Sequence, residues 1–217
     1  MSSTSLKYIQ DHPVEEIVNG ITHGIGVLLS ITGMVLLVIQ AARHGNVWHV
    51  VSYTIFGCTM VILYLASTLY HSIQHTKIKP FLKIIDHSAI FLLIAGSYTP
   101  FLLVLLRGTL GWTLFGIIWG LAIIGIIFKS IYIHRFRILS VFIYIAMGWL
   151  VVIAMPQIIH ILNRTSLIFL ISGGLSYTLG TIFYAFQKIP FGHGVWHLFV
   201  LGGTITHFFA VYYILNI

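Results

Sequence analysis

The stretch TLGWTLFGIIWGLAIIGIIFK, residues 109–129, decides the fold. Between Arg107 and Lys129 it carries no charged side chain, and about 20 consecutive apolar residues are what a helix needs to cross the hydrocarbon core of a bilayer. Working outward from it, six further apolar stretches lie at about 19–42, 47–71, 84–106, 138–161, 166–186 and 193–215. Charge or turn chemistry separates them: Arg43-His44-Gly45-Asn46, the Gln74 to Lys83 segment with Pro80, Arg107-Gly108, His134 to Arg137, Asn163-Arg164, and Gln187-Lys188 with Pro190. Their length and unbroken apolarity point to helices. Barrel strands would read as segments of about 10 residues alternating in polarity.

Composition agrees. Of 217 residues 59% are hydrophobic and 7% charged, against roughly 25% charged in soluble domains, and the mean hydropathy is +1.02. Seven spans consume about 140 residues, which leaves a short amino-terminal segment, 1–18, and no room for a soluble domain. The first apolar run follows the acidic pair Glu15-Glu16 rather than a basic segment, so it reads as a retained span, not a signal peptide. The single Cys58 lies within an apolar stretch, which excludes a disulfide framework. The net charge of +7 does not imply a nucleic-acid partner, because the basic residues punctuate apolar runs instead of gathering on one face. They do set an orientation. Lys7, Lys77, Lys79, Lys83, Lys129, Arg135, Arg137 and Lys188 fall on one side, and Arg43, Arg107 and Arg164 on the other. Cytoplasmic loops retain the excess, so the expected architecture is an all-α seven-transmembrane-helix bundle with a cytoplasmic N terminus and the C terminus outside.

An ionisable side chain inside a bilayer costs about 2.5–3.5 kcal/mol on insertion scales, so the few that occur need a partner or a task. They cluster at one end: Glu16 and Asn19 open span 1, His71 closes span 2, Asp86 opens span 3, and His193 and His197 open span 7. His193 and His197 are four apart, one turn on one helical face, a spacing at which two imidazoles can grip one metal ion. His71, at the same depth with Ser67 one turn away on its own face, is the candidate third ligand. Three neutral imidazoles with an open fourth position fit a catalytic type of zinc site. Asp86 would offset the ion's charge and orient a water.

Each feature has a plainer explanation. A helical His pair can hydrogen-bond headgroups, and Asp86 in the first turn of a helix complements its dipole. The joint occurrence of three histidines and one carboxylate at one depth, in a chain with four acids, favours the metal site.

Two polar lines run inward from this end. His193, His197, Thr204 and His207 fall within about 80° of one another on span 7, and Glu16, Asn19 and His23 share a face of span 1. Ser97 continues the direction of Asp86 to within about 20°. All of these should face the bundle interior. For Ser97, Thr204 and His207 the favoured role is interhelical hydrogen bonding. Pro100 and Pro156 predict kinks, Trp48, Trp112 and Trp196 read as interface anchors, and Gly202 and Gly203 as sites of close helix packing.

Taken in order, Glu16-Ile-Val-Asn19-Gly-Ile-Thr-His23, Ser67-Thr-Leu-Tyr-His71, Asp86-His87, Ser97-Tyr-Thr-Pro100 and His193-Gly-Val-Trp-His197 followed by His207 resemble the motifs of the bacterial haemolysin III proteins, within the superfamily of the adiponectin and progestin receptors. The resemblance covers nearly the whole chain. It implies a seven-helix protein of the bacterial cell membrane with a cytoplasmic-side zinc ion (Zn2+) held by His71, His193 and His197, and with Asp86 and Ser67 beside it. The long amino-terminal region of the animal receptors is missing, so hormone signalling is not implied.

Two functions stand open on this basis. In the first, zinc, Asp86 and Ser67 hydrolyse a lipid amide of the ceramide type drawn from the membrane, whose acyl chain an apolar interior suits. In the second, zinc only staples spans 2, 3 and 7 together, and the protein is a pore-forming, haemolytic or membrane-sensing one. A pore would call for an oligomer, since the interior of one chain is sparsely polar. A third possibility, two haems on His193 and His207, lacks a facing histidine for the second.

Overall fold

The computed structural model describes residues 13–133, 135–186 and 189–216; Lys7, His134, Gln187 and Lys188 lie outside the described residues. Among the described residues every regular element is helical, and seven helical spans are long and apolar enough to cross a membrane.

Helix α1 runs Pro13–His44 and begins six residues earlier than the apolar pattern predicts. Pro13 needs no amide partner at a helix start and is pre-set in φ. Glu15 and Glu16 in the first turn complement the dipole. Helix α2, Val47–Ser72, starts at Asn46, whose side chain accepts from the Trp48 and His49 amides while the His49 ring takes the Asn46 amide. Helix α3, Lys79–Pro100, passes into a π-turn, Phe101–Leu105, the irregularity expected at a proline that can donate no amide. Helix α4 is Thr109–Tyr132. The fifth span is divided into α5, Arg137–Gly148, and α6, Val151–Ile161. Helix α7, Arg164–Ala185, is capped by Asn163, and α8, Gly192–Tyr212, ends in a 3₁₀ turn.

The division of the fifth span differs from expectation. The helix continues through Pro156, and the break falls at Trp149 and Leu150. Freed backbone groups have no water to bond at membrane depth. Here Tyr98 of α3 supplies the partner, its hydroxyl lying 2.9 and 2.7 Å from the carbonyls of Met147 and Gly148 while accepting from the Val151 amide at 2.8 Å. Tyr98→Phe keeps the ring and removes all three bonds. It should lower stability by about 1–3 kcal/mol, read as a lower thermal midpoint in detergent. An unchanged midpoint would show that water replaces the hydroxyl.

Successive helices pack as neighbours, α1 on α2, α2 on α3, α3 on α4 and α7 on α8, while α1 against α8 brings the two ends of the chain together. Close approach depends on small residues: a Cβ added at Gly203 would fall 2.8 Å from the Tyr177 ring. The outer faces carry exposed Leu28, Ile124, Phe142 and Ile153, as a bundle solvated by lipid requires. At the end formed by the start of α2 and of α4, Trp48 and Trp112 meet edge to face, with Arg107 over Trp48 at 5.1 Å, as interface anchors do. Trp196 does not anchor: it is buried and packs on Tyr184. The opposite end gathers the starts of α1, α3, α5 and α8 with the ends of α2, α4 and α7.

Candidate metal centre

At that second end three imidazoles converge. His71 sits in the last turn of α2 and His193 and His197 in the first two turns of α8. The ring centroids are 5.1 Å apart for His71 and His193, 5.1 Å for His71 and His197, and 4.6 Å for His193 and His197. One ring nitrogen from each lies within 4.8 Å of the others. Three imidazoles bound at 2.0–2.1 Å around a tetrahedral ion put their centroids about 5 Å apart, so the triangle has the right size for one metal.

The remaining nitrogens decide which atoms are free. Nδ1 of His71 lies 3.3 Å from Oε1 of Glu16, and its Nε2 is buried without a hydrogen-bond partner. Nε2 of His193 is likewise buried and unpartnered. Nδ1 of His197 is 3.3 Å from the Thr22 hydroxyl, which itself donates to the Asn19 carbonyl. Buried polar atoms without partners are costly. A cation among these nitrogens would satisfy them, with carboxylate and hydroxyl behind the rings fixing tautomer and orientation.

Glu16 is the hub of that support. Its Oε2 takes the Lys79 ammonium at 2.6 Å. Lys79 also donates to the Gln74 carbonyl at 2.7 Å, and Gln74 donates to the His71 carbonyl at 2.6 Å. Asp86 is buried, 3.4 Å from the His87 ring, and within electrostatic reach of His71 and His193. The Ser67 hydroxyl, one turn before His71, is buried and unpartnered. His23 stacks on His197 with centroids 3.5 Å apart, and neither of its nitrogens has a partner. An open hollow lined by Glu16, Gly20, His71, Ser72, Gln74 and Lys79 leads from the surface to this cluster.

Two apolar clefts lie deeper, both lined by Ser97, Tyr98, Gly148, Trp149, Gly174 and His207. Ser97 bonds the Ile94 carbonyl in its own helix, whereas His207 bonds the Leu170 carbonyl of α7 at 3.2 Å. Thr204 joins helices as expected, within 2.7 Å of the Tyr64 hydroxyl and 2.8 Å of the Tyr177 hydroxyl.

The chain matches the family described as "Haemolysin-III related" over residues 12–208. The chain belongs to the haemolysin III family. Among curated proteins it is 56% identical over 197 residues to "Hemolysin-3 homolog" of Bacillus subtilis (strain 168), covering 91% of this chain and 92% of that one. It is 52% identical over 202 residues to "Hemolysin-3" of Bacillus cereus, covering 93% and 92%. Human "Monocyte to macrophage differentiation factor" is 30% identical over 207 residues, covering 91% and 83%, which carries the relationship into the wider receptor superfamily. No solved structure matches the chain. With seven apolar spans, it is a multi-pass bacterial membrane protein.

In this haemolysin III protein the residues expected to share one polar interior divide into two groups. His71, His193, His197, Glu16, Asn19 and His23 meet at one end, with Asp86 within electrostatic reach, whereas Ser97 and His207 line the apolar clefts away from it. Sequence reasoning left four participants without a role at the site. Thr22 holds His197, His87 pairs with Asp86, and Lys79 with Gln74 holds Glu16. Lys79 was legible only as topology charge. Nothing along α3 alone says that its ammonium turns inward.

Proposed function

We propose that this haemolysin III protein is a zinc-dependent hydrolase of lipid amides, with Zn2+ held by His71, His193 and His197. The supporting observation is the set of partnerless nitrogens on His71 and His193, facing His197 beside the buried carboxylate of Asp86. An ion held there would supply Lewis-acid polarisation of a carbonyl oxygen and lower the pKa of a water to about 7. Asp86 takes up the proton that hydrolysis releases and returns it to the leaving amine, within reach of the site's charge. Ser67, whose hydroxyl has no other bond, donates to the developing negative oxygen. Glu16 keeps His71 in one tautomer. The apolar clefts take the acyl chain, and the open hollow beside His71 admits water. We assign the centre to the cytoplasmic side, following the excess of Lys and Arg at that end.

The name Hemolysin-3 borne by the Bacillus cereus relative favours a second reading, in which zinc is structural and the chain permeabilises membranes. Purified protein carrying about one zinc per chain, incubated with a long-chain N-acyl sphingoid amide in detergent, should release free fatty acid, and lose that activity on chelation. No fatty acid release, together with leakage of solute from vesicles carrying the protein, would replace the first reading by the second.

A further inference from the structure

We propose that Lys83, Lys129 and Arg137 form a binding site for a phosphate group around His87, at the end of the bundle that carries the metal-centre histidines. This assignment is independent of the hydrolase reading. Phe91 of α3 lies so close to Gly125 of α4 that a Cβ there would fall 2.3 Å from the ring. The two helices run antiparallel, so one turn towards the histidine end Lys129 comes level with His87. Lys129 is 1% exposed, and a lysine that only marks topology extends its ammonium into water. Lys129 instead borders His87 together with Lys83, whose backbone carbonyl is 2.9 Å from the His87 Nδ1, and Tyr184, whose ring carries Arg137 and lies 6.4 Å from the His87 ring.

Arg137 opens α5, with its guanidinium 4.4 Å over the Tyr184 ring and one Nη donating to the Tyr184 carbonyl. Its Nε is buried with no acceptor.

The acids do not balance these cations. The chain has four. Asp11 lies outside the described residues, Glu15 accepts from the Phe191 amide at the start of α8, and Glu16 and Asp86, both within electrostatic reach of Lys83, have Lys79 at 2.6 Å and His87 at 3.4 Å as their nearest partners. Among the described residues no carboxylate is paired with Lys129 or Arg137. Three cations drawn together, one enclosed and one with an idle N–H, call for an anion that the chain does not supply. A tetrahedral phosphate offers several acceptor oxygens to fork and ammonium donors, and basic pockets between membrane helices are where anionic headgroups bind.

The test compares the full chain in phosphatidylcholine with the same chain given phosphatidylglycerol or inorganic phosphate, reading retained lipid by native mass spectrometry and the thermal midpoint. Wild type should retain phosphatidylglycerol selectively. Lys83→Gln, Lys129→Gln and Arg137→Gln should each weaken that retention by about fivefold, whereas Lys129→Arg should restore it, and Lys77→Gln, at an exposed cation of the same end, should change it little. If inorganic phosphate raises the midpoint in phosphatidylcholine and displaces the lipid, the site takes free phosphate as well; if only the lipid acts, the headgroup is the source. Equal losses in Lys77→Gln and Lys83→Gln would reduce the effect to a diffuse surface charge and overturn the proposal, as would unchanged retention in all three cluster variants. Lys83 is half-buried, so Lys83→Gln keeps the test decisive if Lys129→Gln fails to fold.

Discussion

Alanine at His71, His193 or His197 is expected to strip the purified protein of zinc, from about one ion per chain to less than about a tenth. Each substitution removes one of only three protein nitrogens, and a site left with two ligands holds zinc too weakly to survive purification. Glu16→Gln makes a sharper companion. It removes the negative charge behind Nδ1 of His71 and the partner of Lys79, but no ligand, so zinc should remain titratable with affinity lower by about 10–100-fold. Helix content should persist in all four variants, since the spans are held by apolar packing along their length. Metal analysis with circular dichroism checks both points. Wild-type zinc content in the combined replacement of all three histidines would abolish the metal centre as a proposal.

Asp86→Asn should leave zinc in place and lower turnover of a lipid amide by about 10²–10⁴-fold, the span attributed to a positioned proton-transfer group. Asparagine matches aspartate in size, so the buried pocket beside His87 is not reshaped and the loss is chemical. Ser67→Ala should reduce turnover less, because it removes a hydrogen bond and no charge. Since Asp86 does not line the clefts proposed to take the acyl chain, the defect is expected in kcat rather than KM. Full activity in a zinc-loaded Asp86→Asn protein would assign the proton transfer elsewhere.

The amino-acid sequence by itself determined the seven spans, their order, and the end of the bundle at which the acids and most of the basic residues collect. A bilayer tolerates charge only at its faces or against a partner, so apolar length and the depth of each polar residue can be read along one strand of text. The spacing of His193 and His197 on one helix was legible for the same reason. What periodicity cannot carry is which neighbour a helical face meets. Only tertiary packing turned His71 towards α8, set Glu16 behind it, laid His23 on His197 and buried Trp196. It also sent His207 and Ser97 to the apolar clefts, and moved the break in the fifth span from Pro156 to Trp149 and Leu150, where the Tyr98 hydroxyl meets the freed backbone. Rotation and separation of helices follow from side-chain fit between elements far apart in the chain, and no pattern within a single element encodes it.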